Sequence, residues 1–149
     1  MINRFERFSY DICEVSRYWH KLANEEMELH GLKGPQAVYF TALYRFPEGL
    51  TAGRLSEICA KDKSDVSRAI ALCQSKGFVT KENLNNSSYR APIKLTEKGK
   101  KVAEHIAAKA VLAVESASEG LTMDELKTFY KAFELIGSNL RKYAESGEE

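Results

Sequence analysis

The sequence lacks most of the features on which secreted proteins, membrane proteins and enzymes depend. It has only 3 cysteines among 149 residues, an odd number without a CxxC spacing, which predicts reduced thiols in a cytoplasmic protein. There is no apolar run of about 18 residues to span a membrane, and the charged N-terminal stretch does not resemble a signal peptide. Glycine-rich phosphate loops, GxSxG and HExxH are missing. We therefore expect a cytoplasmic protein without enzymatic activity, cofactor or membrane partner.

The net charge of +1 is small, but it is unevenly distributed. Residues 54–101 contain 11 Lys and Arg against 5 Asp and Glu, a net charge of +6. Residues 1–53 have a net charge of −1 and residues 102–149 a net charge of −4. Because Lys and Arg neutralise phosphates, this distribution predicts a nucleic-acid partner for the central segment.

The basic segment begins with two predicted helices that are joined by a short polar turn. Thr51 suits the N-cap of the first helix, which directs Leu55 and Ile58 toward a core. Asp62 suits the N-cap of the second helix, and Gly77 suits its end. Apolar residues at helical spacing predict a buried face on the second helix, made by Val66, Ala69, Ile70 and Cys73.

The opposite face of the second helix is polar and cationic, with Lys63, Ser64, Ser67 and Arg68. Such a face fits the major groove of DNA, which admits one helix and presents acceptors to Arg and Lys. A merely solvated helix face would have a similar composition. The polar loop Asn83–Arg90, set between two predicted strands, adds a hairpin directly after the helix. This order of helix, turn, helix and hairpin is more specific than either part.

Two stretches of the sequence, LTAGRLSEICAKDKSDVSRAIALCQSKGFV and IKLTEKGKKV, resemble the winged helix-turn-helix of the MarR family of bacterial transcription regulators. The resemblance implies a mainly α fold with a small β-wing. It also implies one domain over residues 1–149, with a winged helix-turn-helix at 35–96 and dimerisation helices at 1–30 and 97–145. The implied function is that of a sequence-specific DNA-binding regulator, usually a repressor.

The predicted DNA contacts lie on the second helix and on the hairpin that follows it. They are Lys63, Ser64, Asp65, Ser67 and Arg68 on the helix, and Lys81, Asn86, Ser88, Arg90 and Lys94 on the wing. The wing departs from the family pattern, because it carries one Arg, displaced toward the second strand, where the family usually has a pair. Insertion of an Arg into the minor groove is therefore less expected here.

The predicted first and last helices carry apolar stripes that the winged part does not need. The stripes run through residues 4–29 and 123–143 at spacings of three and four. Exposed patches of this size usually mark an interface, and the resemblance implies a homodimer. Two-fold symmetry would place the two recognition helices roughly 34 Å apart, on a pseudo-palindromic operator.

A sensing site is the remaining question for the sequence. The resemblance implies a pocket for a small aromatic effector, for which the candidates are Tyr10, Arg17, Trp19, Phe40 and Tyr44. The aromatic members of this set would equally serve as core residues. Two alternatives stay open, namely a thiol-based redox sensor that uses Cys13 and a winged-helix protein-interaction module without DNA. Together with Glu residues, His20, His30 and His105 would offer the ligands of a metal site, but we interpret them as surface side chains and predict no metal.

Overall fold

The computed structural model describes residues 3–82 and 90–147, which form six α-helices and a small antiparallel sheet. The helices are α1 (Arg4–Glu28), α2 (Ala37–Arg45), α3 (Ala52–Cys59), α4 (Lys63–Ser75), α5 (Glu97–Ala117) and α6 (Met123–Ser146). The strands are β1 (Val79–Lys81) and β2 (Ile93–Leu95), and a short 3-10 helix (Gly34–Gln36) precedes α2. This architecture confirms the predicted mainly α fold with a small β-wing. Across the described residues, no helix has the length and apolar character needed to cross a membrane.

The chain divides into two compact units, Met1–Ala110 and Val111–Glu149. The first unit contains the helix-turn-helix and the sheet, and the second contains α6. The prediction of a single domain over residues 1–149 stays a prediction.

The helix-turn-helix begins and ends where its capping residues predict. The Thr51 hydroxyl accepts a hydrogen bond from the Arg54 N–H at the start of α3, at 3.2 Å. The Ser56 hydroxyl donates to the Lys61 carbonyl and closes the turn before α4. Gly77, with a φ of +78°, follows the end of α4 in the left-handed conformation that glycine adopts most readily.

The core of the first unit lies between the helix-turn-helix and the sheet. Leu55 of α3 and Val66 of α4 are fully buried there, and the Phe40 ring packs edge-on against Phe78 at 5.6 Å. The predicted buried face of α4 is confirmed. One prediction on α3 is wrong, because Ile58 is 37% exposed and Cys59, one position further along the helix, packs inward in its place.

Backbone and side-chain contacts hold the wing together and attach it to the rest of the first unit. Strand β2 pairs with β1, and the backbone of Leu50 exchanges two hydrogen bonds with Ile93 of β2. The Thr96 hydroxyl donates to the Gly77 carbonyl and accepts from the Gly99 N–H, which caps α5. A Cβ at Gly99 would lie 2.0 Å from the Phe78 carbonyl oxygen, so only glycine fits this approach.

The first and last helices expose their large apolar side chains in the described structure. In α1 these include Phe5, Val15, Tyr18, Trp19 and Leu22. Helix α6 begins with the predicted capping box of Thr122 and Glu125, and against the described residues it buries no side chain at all. The apolar stripes of both helices therefore remain available for a partner surface.

Candidate nucleic-acid interface

The polar face of α4 is fully accessible. Lys63, Ser64, Ser67 and Arg68 are all exposed, while the opposite face of the helix packs into the core. Because the buried side chains hold the helix rigidly, the exposed ones project from a fixed platform. A rigid helix of this kind can read base edges in a major groove without a large ordering cost.

Arg68 is paired within its own helix. Its guanidinium donates to the Asp65 carboxylate, one turn earlier, and both side chains are largely exposed. Asp65 also lies in the first turn of α4, where its negative charge complements the helix dipole. An exposed ion pair of this type is worth only about 0.2–1 kcal/mol, so Arg68 can exchange Asp65 for a base or a phosphate at little cost.

The N-terminus of α4 offers backbone donors as well as side chains. Asp62 occupies the N-cap position as predicted, but in the described part of the chain its side chain bonds none of the first-turn N–H groups. These N–H groups carry the positive end of the helix dipole. Lys63 and these N–H groups favour a phosphate of the DNA backbone, whereas the carboxylates of Asp62 and Asp65 at the same helix end oppose one.

The predicted wing contacts are divided between the two faces of the sheet. Lys81 pairs with Ile93 in the ladder, and Thr80 pairs with Lys94, so Lys81 and Lys94 extend from opposite faces. Both lysines are half-buried, and Arg90 is exposed just before β2. Asn86 and Ser88 lie outside the described residues. The predicted DNA contacts on the wing stay a prediction.

The predicted effector residues differ in their exposure. Phe40 is a core residue, which corrects its assignment to an accessible pocket wall, because its ring is enclosed by the helix-turn-helix and the wing. Tyr10, Trp19 and Tyr44 are exposed, and the Tyr44 hydroxyl donates to the Glu104 carboxylate at 3.5 Å. The Arg17 guanidinium lies over the Tyr18 ring, 4.9 Å from its centroid. The effector role of Tyr10, Arg17, Trp19 and Tyr44 stays a prediction.

The three cysteines differ in their surroundings. Cys13 is exposed on α1, whereas Cys59 and Cys73 are buried in the helix-turn-helix. Burial raises the pKa of the Cys59 thiol and raises the pKa of Cys73 to about 11. The two buried thiols are therefore protonated and unreactive at neutral pH.

A cluster of potential metal ligands includes two of the three histidines that the sequence analysis interprets as surface side chains. The carboxylate of Glu26, at the end of α1, lies 3.4 Å from the His30 Nε2 atom. His105 of α5 completes the cluster, and the ligand atoms of the three residues lie within 4.8 Å of one another. His30 and His105 also line a cavity of about 360 Å³, with Lys98 and Lys101 at its rim. The i, i+4 spacing of Glu26 and His30 was visible in the sequence, but the approach of His105 was not.

Three comparisons with known proteins bear on this architecture. Residues 30–85 match the sequence profile of the MarR family. The chain is also similar to YybA, an uncharacterized HTH-type transcriptional regulator of Bacillus subtilis (strain 168), with 25% identity over 89% of this chain and 87% of that protein. The matched residues include the whole helix-turn-helix, α3 and α4.

The chain is therefore similar to MarR-family proteins over the segment that contains its helix-turn-helix. Its fold is similar to that of a putative MarR-family regulator from Listeria monocytogenes complexed with a 26mer DNA, with a TM-score of 0.77, 23% identity and coverage of 94% and 95% of the two chains. It is equally similar to MepR of Staphylococcus aureus in a DNA complex, with a TM-score of 0.79, 19% identity and coverage of 89% and 97%.

Proposed function

We propose that this protein is a MarR-family regulator, a cytoplasmic homodimer that binds a pseudo-palindromic operator sequence-specifically and represses transcription from it. The observation that supports the proposal is the exposed face of α4, where Lys63, Ser64, Ser67 and Arg68 are displayed by a helix whose other face is buried. A major groove admits a helix of this size and presents acceptors to Arg and Lys.

Charge supports DNA over a neutral partner. The net charge of +6 falls within residues 54–101, which contain α3, α4 and both strands. Each phosphate that a Lys or Arg neutralises releases counterions, so the logarithm of the affinity falls linearly with the logarithm of the salt concentration. We expect retention on heparin to depend strongly on salt. A winged-helix protein-interaction module without DNA, the alternative function, would bind heparin weakly at every salt concentration.

The proposed homodimer is supported by the exposed stripe of α6. This stripe includes Phe129, Phe133, Ile136 and Leu140. Exposure of so much apolar surface to water is unfavourable in a monomer. A second copy of the chain would bury the stripe by two-fold symmetry, which is the commonest arrangement of homo-oligomers. Light scattering during gel filtration tests this, and a stable monomer at micromolar concentration would refute the proposed dimer.

The decisive experiment is the selection of duplexes from a random DNA pool by the purified chain. A dimer with two copies of α4 should enrich a motif with two-fold symmetry and half-sites one helical turn apart, roughly 34 Å. Repression is then tested with that motif placed over the promoter of a reporter gene. Enrichment of no sequence motif, despite retention of DNA, would contradict sequence-specific binding.

We further propose that a small aromatic acid releases the protein from its operator. The exposed aromatic side chains of Tyr10, Trp19 and Tyr44, together with Arg17 as a carboxylate partner, support this class of ligand. A thermal-shift screen of phenolic acids, followed by anisotropy of the labelled operator, tests the two steps separately. A screen without a stabilising compound would count against the effector.

Exposure of Cys13 supports a second candidate mode of control, by thiol oxidation. Cys13 is accessible to an oxidant, while the pKa of Cys73 is raised to about 11 by burial. Peroxide treatment followed by mass spectrometry should then modify Cys13 and leave Cys59 and Cys73 intact. Operator binding that is equally insensitive to peroxide in the wild-type protein and in Cys13→Ser would exclude this mode.

A further inference from the structure

The cluster of Glu26, His30 and His105 has the composition of a transition-metal site. Imidazole nitrogens and carboxylate oxygens are the ligands that Zn²⁺ and related divalent ions share in proteins. Two histidines and one carboxylate would leave a fourth position of a tetrahedral ion open to a water molecule or an anion. Since His30 and His105 line the neighbouring cavity, that fourth ligand can enter from the cavity, where Lys98 and Lys101 favour an anion.

The distances within the cluster are close to those of a bound ion. With metal–ligand bonds of about 2.0–2.1 Å, two ligand atoms of a tetrahedral zinc are separated by about 3.3 Å. The 3.4 Å between the Glu26 carboxylate and His30 Nε2 already has this value. The His105 ring lies 6.2 Å from the His30 ring, between centroids, and no pair of ligand atoms is more than 4.8 Å apart. Because the His105 side chain is exposed, it is the ligand with room to move toward the other two.

The burial of the Glu26 carboxylate favours a positive charge beside it. Glu26 is only 8% exposed and adjoins Met27, which is completely buried. A buried carboxylate is costly unless a positive charge or several hydrogen bonds compensate it, and the contact described for the Glu26 side chain is the one with His30.

We propose that Glu26, His30 and His105 bind one divalent transition-metal ion, of which Zn²⁺ is the first to test. The ion would join the end of α1 to α5 within the Met1–Ala110 unit. Helix α5 starts directly after β2, so a metal bridge would also brace the base of the wing. The proposal does not depend on DNA binding.

The test is a titration of the untagged, chelator-treated protein with Zn²⁺, in competition with a chromophoric chelator. We expect one ion per chain, and a loss of affinity of more than about 100-fold for His105→Ala, because removal of an outer partner alone usually costs 10–100-fold. Glu26→Gln, which keeps the shape of the side chain, should weaken binding similarly. The matched control is His20→Ala, which removes an exposed histidine of α1 outside the cluster and should change nothing.

A measurement on the unaltered protein keeps the test independent of folding defects in the variants. Co²⁺ bound by two nitrogens and one carboxylate should give visible bands without the near-ultraviolet charge-transfer band of a thiolate ligand. The thermal midpoint of the wild-type protein, and not that of His105→Ala, should rise with Zn²⁺. A lack of stoichiometric binding, an equal loss in His20→Ala, or a thiolate band from Cys13 would each overturn the proposal.

Discussion

Large apolar side chains are buried in the winged part of the molecule but exposed on its last helix. In the winged part Phe40 is 1% exposed, whereas Phe133 of α6 is 52% exposed, although both are phenylalanines on helices. The charges differ too, since residues 54–101 have a net charge of +6 and residues 102–149 a net charge of −4. The comparison indicates that the winged part folds around its own core, whereas α6 leaves a large apolar surface exposed, which the proposed dimer would bury. The basic segment 54–101 and the acidic segment 102–149 would therefore bind different partners.

The strongest effect is expected for truncation in the core of the winged part. Phe40→Ala removes a ring that packs against Phe78 and leaves a cavity, which should lower the free energy of unfolding by about 3–5 kcal/mol. Urea unfolding monitored by circular dichroism measures this loss. Because the contact is internal to one chain, the loss should not vary with protein concentration, and a concentration-dependent loss would mean that Phe40 serves the dimer instead.

The same truncation in α6 should act on association. Phe133→Ala removes an exposed ring from the apolar stripe and should weaken the dimer by about 1.5–3 kcal/mol of association free energy. Sedimentation velocity over a dilution series gives the dissociation constant. Lys131→Ala, which alters a neighbouring charged residue of α6, is the matched control and should leave the constant unchanged. Equal constants for the two variants would remove the basis of the comparison.

Local signals explain how much of this fold could be predicted from the sequence. The limits of α4 follow from Asp62 and Gly77, and its buried face follows from the spacing of Val66 and Ile70, because caps and periodicity depend only on neighbours in the chain. The capping box of Thr122 and Glu125 has the same local origin. These features are confirmed because no distant contact competes with them.

The missed features depend on how distant parts of the chain meet. Ile58 and Cys59 are consecutive residues of α3, and the position of the core relative to this helix decides which side chain is buried. His105 meets His30 only because α5 packs near the end of α1, which no local pattern encodes.

The proposed contact between the basic surface and DNA is tested most directly at Arg68. If Arg68 reads a base edge, Arg68→Ala should weaken operator binding by about 1–3 kcal/mol and relax specificity at one position. Fluorescence anisotropy with the selected duplex measures both effects. Arg7→Ala is a matched control, since Arg7 is also an exposed helical arginine paired with an aspartate one turn away, Asp11. Unchanged affinity of the Arg68 variant would show that this side chain does not contact DNA.

The smallest expected effect concerns the start of α6, where the acidic part of the chain is stabilised locally. The Thr122 backbone N–H and hydroxyl both donate to the Glu125 carboxylate, and the backbone bond is the main reason that the pKa of Glu125 is lowered. Thr122→Ala should cost about 1 kcal/mol of helix stability, while Thr122→Ser keeps the hydroxyl and should cost less. Hydrogen exchange of the first turn of α6 measures the difference between the two variants.

The same cap predicts a direction for the pH dependence of α6. Because the pKa of Glu125 is lower in the folded chain than its ordinary value of about 4.5, the carboxylate stabilises the folded state above that pH. The stabilisation is lost as the pH falls through the lowered value. First-turn protection in the wild-type protein should therefore decline in acid. In Glu125→Gln, whose side chain does not titrate, this component of the decline should be missing. An identical acid profile for the two proteins would mean that the Glu125 carboxylate does not stabilise the start of α6.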